Sequence, residues 1–196
     1  RTFHRWKGPF AVLRKWENIY VELAMESNMQ IRERKQNRLA QYDYGREGCY
    51  FVTLCTQNRA RLFEIEDTVG NGLCAVPSTR QSNKIIHKWI KETQNKFENI
   101  KIDKYVIMPD HIHLIVTIEE RHIGRSLPDA MMFLKTMTTN EYMRGVKAGI
   151  LPAFEKKLWQ KSYYDHVIRN RQDYNEVWEY VENNPNKWLQ VHGRLL

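Results

Sequence analysis

The chain has 196 residues and a formal net charge of +8, room for one domain of ordinary size plus an appendage rather than for two domains. A basic surface with 12% aromatic residues favours a polyanionic partner, nucleic acid first. Cys49, Cys55 and Cys74 have no paired spacing, which argues against a disulfide framework or a cysteine zinc site, and the absence of both a secretory signal and a run of about 20 apolar residues makes cytoplasm or nucleoid the expected location.

In chain order, residues 1–35 read as an N-terminal extension and 36–196 as the domain. Val12, Leu13, Trp16, Ile19, Tyr20 and Leu23 carry a helical period that would also suit a docked helix. Arg32, Arg34, Lys35 and Arg38 form a basic run, either a solvated tail or an arm that contacts phosphates. Tyr50 to Thr56 alternates as a first strand, with Leu62 to Ile65 as a short extension. Thr68 to Ser82, rich in glycine and small polar residues, reads as a loop, and Ser82 is placed to cap a helix with Ile85, Ile86, Trp89, Ile90 and Phe97 on one side.

Ile100 to Met108 and His111 to Ile118 read as a strand hairpin turning at Pro109 and Asp110. Ser126, Pro128 and Asp129 then open a second helix, with Met131, Met132, Leu134, Met137 and Tyr142 on its apolar side and Lys135 and Arg144 among its polar residues. Leu158 to Ile168 is the fourth strand candidate, closed by Arg169, Asn170 and Arg171. Asp173 caps a last helix expected to run to Asn183 and stop at Pro185.

Strand, helix, strand, strand, helix, strand is the split βαβ pattern of a ferredoxin-like α+β sandwich: an antiparallel sheet with helices on one face. Side chains alternate along a strand, so His111 and His113 share one face while Ile112, Leu114, Val116 and Ile118 take the other. Such a pair is either two half-buried histidines satisfied by backbone groups or two ligands of a metal that needs a third. On the last helix Val177, Trp178 and Val181 form an apolar stripe, and Glu176, Tyr180 and Asn184 stand one turn apart on a separate polar one. A divalent ion bound by His111, His113 and Asn184 would polarise a phosphodiester for attack by Tyr180. Spacing alone also allows Tyr180 to be a wedge between helix and sheet, and leaves Tyr163, Tyr164 and Tyr174 in competition for its role.

Met108-Pro109-Asp110-His111-Ile112-His113-Leu114-Ile115, Trp159-Gln160, Tyr163-Tyr164-Asp165-His166-Val167-Ile168-Arg169 and Tyr180-Val181-Glu182-Asn183-Asn184-Pro185, in that order, resemble the REP-associated tyrosine transposases, single-tyrosine members of the HUH (histidine, hydrophobic, histidine) nucleases. The resemblance spans about Gln36 to Trp188. It implies the HUH endonuclease fold, with His111 and His113 as the pair that binds magnesium or manganese and Asn184 completing the site. It implies further that Tyr180 is the nucleophile that forms a 5′-phosphotyrosine link to single-stranded DNA beside a hairpin-forming palindromic repeat, releasing a 3′-hydroxyl. The partner is then single-stranded DNA and the assembly a monomer or a homodimer. Candidate DNA contacts are Arg32, Arg34, Lys35, Arg38, Lys135, Arg144, Arg169 and Arg171; Asp165, His166 and Arg169 fit the family pattern with support or DNA contact as their role. Two other readings compete: a hairpin-binding protein of the same fold without cleavage, and a two-histidine RNA phosphoesterase, which would need two separated His-x-Thr/Ser motifs where this chain has one His-x-His.

Overall fold

Period-two alternation sorts nearly every strand residue to one of two faces. The computed structural model describes residues 43–65, 70–71, 80–119 and 126–192; residues 1–35, the basic run Arg32, Arg34, Lys35 and Arg38, and Cys74 lie outside them. In β1 (Gly48–Cys55) Tyr50, Val52 and Leu54 point to the main core, and Cys49, Phe51, Thr53 and Cys55 point away from it. β2 (Gly70–Asn71) is a two-residue edge strand on β3 (Ile100–Met108). A register shift between Ile102 and Lys104 lets β3 keep Ile100, Ile102, Tyr105 and Ile107 all on the core side. β4 (His111–Ile118) contributes Ile112, Leu114, Val116 and Ile118 to that side.

With β5 (Tyr164–Ile168), the sheet order is β2-β3-β4-β1-β5 and every pairing is antiparallel. Setting the edge strand β2 aside, this is the expected ferredoxin-like arrangement, with the histidine strand at the centre. α1 (Gln81–Lys96) and α2 (Leu127–Lys147) cover the core face through Ile85, Ile86, Ile90, Leu127, Met131 and Leu134. α2 begins as expected, at Ser126, which with Asp129 forms a reciprocal capping box ahead of Pro128. α3 (Arg171–His192) packs on the opposite face, where Val177, Tyr180 and Val181 are buried.

Several expected boundaries move. Ser82 lies inside α1, whose N-cap is Arg80; Asn83 instead makes the local tie, exchanging hydrogen bonds with the backbone of Glu64. Leu62 to Ile65 is not a strand, because the amides of Leu62 and Phe63 both turn to the Pro109 carbonyl. Only Tyr164–Ile168 of the fourth strand candidate pairs regularly; upstream, Trp159 makes a single bridge to Thr56. Met132 is 64% exposed rather than on the packed side.

α3 departs most. Asn170, not Asp173, caps it: Asn170 Oδ1 accepts from the Asp173 amide, while the Asp173 carboxylate accepts from the Arg169 amide. The helix also runs straight through Pro185. An interior proline costs about 3 kcal/mol, so packing beyond it must compensate. Nor are Tyr180 and Asn184 on a separate polar stripe: they are 8% and 7% exposed, facing the sheet beside Val177 and Val181. Among the described residues no helix is long and apolar enough to cross a membrane.

Candidate active site

The site lies on the sheet face that α3 covers. Pairing of β1 with β4 sets Thr53 opposite His113 and Cys55 opposite His111, so β1 supplies the hydrogen-bond partner of His113, while that of His111 comes from the turn before β4. His111 and His113 are 0% and 1% exposed, and their Nε2 atoms converge to 3.1 Å. Behind them, His111 Nδ1 lies 2.6 Å from Asp110 Oδ1 and His113 Nδ1 lies 2.8 Å from Thr53 Oγ1. Asp110 in turn meets Arg59 at 3.0 Å. Arg59 holds a left-handed backbone (φ 54°), which an L residue adopts only where its surroundings enforce it; its guanidinium also reaches Cys55 Sγ at 2.9 Å.

Electrostatics follow from this layering. Burial alone would raise the Asp110 carboxyl, but the hydrogen bond and charge of His111, with the charge of Arg59, hold it below its usual range. Burial lowers His111, which Asp110 partly offsets, and drives His113 well below the ordinary imidazole range with help from the His111 and Arg59 charges. Both rings are thus neutral at pH 7, the form that ligates metals. An ionised Asp110 accepts the Nδ1 proton of His111, leaving its Nε2 as a lone pair. Without a metal, His113 Nε2–H donates to that lone pair and the Thr53 hydroxyl donates to His113 Nδ1. Presenting both Nε2 lone pairs to a cation requires His113 to carry its proton on Nδ1 instead. Thr53 suits either state, because a hydroxyl both donates and accepts.

The donor set fits a divalent ion. Two nitrogens about 2.1 Å from one cation in adjacent positions lie about 3 Å apart, close to the observed 3.1 Å, and each ring is fixed from behind as ligating histidines are.

α3 brings the phenol. The Tyr180 ring lies 5.4 Å from His113 and stands edge-on to Phe51 at 5.8 Å, and Phe51 itself stacks on His113 at 5.1 Å. Two turns later Trp188 lies 6.2 Å from His111. Asn184, midway between them at helical spacing, shares their stripe and is buried. Polar links register the helix: Lys104, itself buried, binds Glu182 at 2.9 Å and lies 4.0 Å from the Trp178 ring, and Asp173 meets His166 at 3.1 Å.

The competing tyrosines stand elsewhere. Tyr163 is buried in the main core. Tyr164 lies opposite Thr53 on the site face with its phenol pushed up by burial. Tyr174 donates to Asp103 at 3.4 Å and is pushed up to about 12 by burial and that carboxylate. Of the candidate DNA contacts, Arg144, Arg169 and Arg171 are exposed. Lys135 belongs to α2 on the other side of the sheet, and its ammonium binds the carbonyls of Gln160 and Lys161 at 2.7 and 3.0 Å. Sequence reading had no role for Phe51, Thr53, Arg59 or Trp188, and saw Asp110 only as a turn residue; the β1–β4 register is the signal that exposes Phe51 and Thr53.

Comparison with known proteins gives the chain's family and the likeness of its fold. The family model described as "Transposase IS200 like" matches residues 49–184. An uncharacterised protein of Haemophilus influenzae is 30% identical over 83% of this chain and 94% of its own length. The REP-associated tyrosine transposase of Escherichia coli K12 is 28% identical over 57% of this chain and 60% of its own length. Among solved structures, a REP-associated tyrosine transposase bound to a REP hairpin superposes with a TM-score of 0.50 at 21% identity, covering 81% of this chain and 74% of that one, a likeness of fold.

Proposed function

On the premise that the chain belongs to the IS200-like transposase family, we propose that it nicks and rejoins single-stranded DNA beside a hairpin-forming repeat, with Tyr180 as nucleophile and a magnesium or manganese ion as cofactor. His111, His113 and Asn184 would hold the ion. Bound there, the cation would act as a Lewis acid on the phosphodiester.

The remaining work falls to the chain. Tyr180 gives up its phenol proton and its oxygen attacks the phosphorus; the bond to the 3′-oxygen breaks, and that oxygen takes up a proton to leave as a 3′-hydroxyl. The 5′-phosphotyrosine keeps the ester bond, so a second 3′-hydroxyl can reverse the step and join strands. An unperturbed phenol ionises near 10, so activation is needed. Phe51 fixes the ring edge-on, and Lys187, with its ammonium 5.8 Å from that ring, favours developing negative charge. Arg169, just before α3, and Arg171, its first residue, are the proposed phosphate contacts; Arg144, like Lys135, belongs to α2 on the other side of the sheet.

The observation that carries this reading is the approach of the Tyr180 ring to His113, 5.4 Å between centroids, beside a convergent imidazole pair. The test is incubation with a labelled hairpin oligonucleotide and manganese, read on a denaturing gel. A covalent adduct that disappears in Tyr180→Phe is expected. Binding without an adduct under any divalent metal overturns the enzymatic reading in favour of a hairpin binder.

A further inference from the structure

α3 carries an aromatic group that the proposed reaction does not use. The helix continues through Pro185, although an interior proline removes a helix hydrogen bond and crowds the preceding turn. The turn beyond delivers Trp188, half-buried, to within 6.2 Å of the His111 ring. Over its indole, 5.7 Å from the centroid, sits the guanidinium of Arg61. Arg61 is exposed but held from behind: the amides of Leu62 and Phe63 both donate to the Pro109 carbonyl, at 2.9 and 3.0 Å, and Phe63 is buried on Trp159 at 5.4 Å. The segment is thereby pinned to the turn that begins the histidine strand. Lys187, also exposed, places its ammonium 5.8 Å from the Tyr180 ring. An indole carrying one cation therefore stands beside His111 and a second cation beside the phenol, supplied by two separate stretches of chain.

We propose that Trp188, with Arg61, is a stacking platform for an unpaired nucleobase next to the phosphate presented to Tyr180. The inference rests on the single-stranded DNA reading above and adds where a base goes. A nucleobase is flat and polarisable and stacks on an indole; taking the place over the ring where Arg61 now lies, it would keep that guanidinium at its edge. The neighbouring phosphates need cations at the rim, and Arg61 and Lys187 supply them. Since every base has a π-face, the platform fixes the position of a nucleotide without reading its identity.

The experiment uses the whole chain carrying Tyr180→Phe, so that no cleavage intervenes, and two labelled hairpins: one with thymidine tails, the other with the same tails made abasic. Both carry the same phosphates, so the ratio of their affinities isolates the bases. The parent is expected to prefer the thymidine-tailed hairpin, Trp188→Ala to cut that preference roughly tenfold, and Trp188→Phe to keep most of it. An unchanged preference in Trp188→Ala overturns the platform, as does equal weakening of both hairpins, which assigns the indole to the fold of the site. Equal binding of both hairpins by the parent overturns the platform while sparing the DNA reading. If neither hairpin binds, the DNA reading falls and the platform with it.

Discussion

The two faces of the sheet are built from the same strands and have opposite characters. Toward α1 and α2, the strands present Tyr50, Val52, Leu54, Ile112, Leu114 and Val116, nearly all of them fully buried. Toward α3, the intervening positions mix buried apolar residues, Phe51, Val106, Met108 and Ile115, with buried Thr53, Lys104, His111 and His113, whose polar groups must find partners. On the first face, burial of apolar area is its own reason. On the second, each buried polar group is answered by another: Thr53 by His113, Asp110 by both His111 and Arg59, Lys104 by Glu182. A fold seeking stability alone would fill such a face with aliphatic side chains. The difference separates what holds the domain together from what it is for.

Substitutions on the two faces should therefore fail differently. The largest effect is expected from His111→Ala, which should eliminate metal-dependent adduct formation while leaving hairpin binding, measured by anisotropy, mostly intact; equal loss of both would mean that the histidine face is structural after all. Leu114→Ala, on the other face of the same strand, should lower unfolding free energy by about 2–5 kcal/mol, read from denaturant titration, with adduct yield per folded molecule unchanged. A smaller change is expected from Thr53→Val, which keeps the shape and removes the hydroxyl behind His113. Manganese affinity, followed by calorimetry, should fall about 10–100-fold, and Thr53→Ser should restore it. An affinity indifferent to that hydroxyl would remove Thr53 from the support of the site.

Legibility in the sequence followed the same division. The period-two pattern of His111 to Ile118 was enough to place both histidines on one face and the aliphatic residues on the other, and the order of elements was enough for the ferredoxin-like sheet. Local rules were weaker where tertiary packing competes. Pro185 reads as a helix stop, yet Trp188 beyond it packs beside His111. Glu176, Tyr180 and Asn184 read as one polar stripe, yet the last two turn inward because the face they meet is itself partly polar. The supports of the imidazoles were out of reach for another reason: Thr53 and His113 are 60 residues apart, and only the strand register brings them together. Arg59 gave no signal at all, since its role depends on a left-handed turn that a non-glycine residue does not announce.

The account depends most on which side chain becomes linked to DNA. After reaction with a hairpin oligonucleotide and manganese, nuclease trimming and peptide mass spectrometry should find the residual nucleotide on the peptide that carries Tyr180. A nucleotide on Tyr163, Tyr164 or Tyr174, or reaction products with no covalent link to the protein, would contradict it.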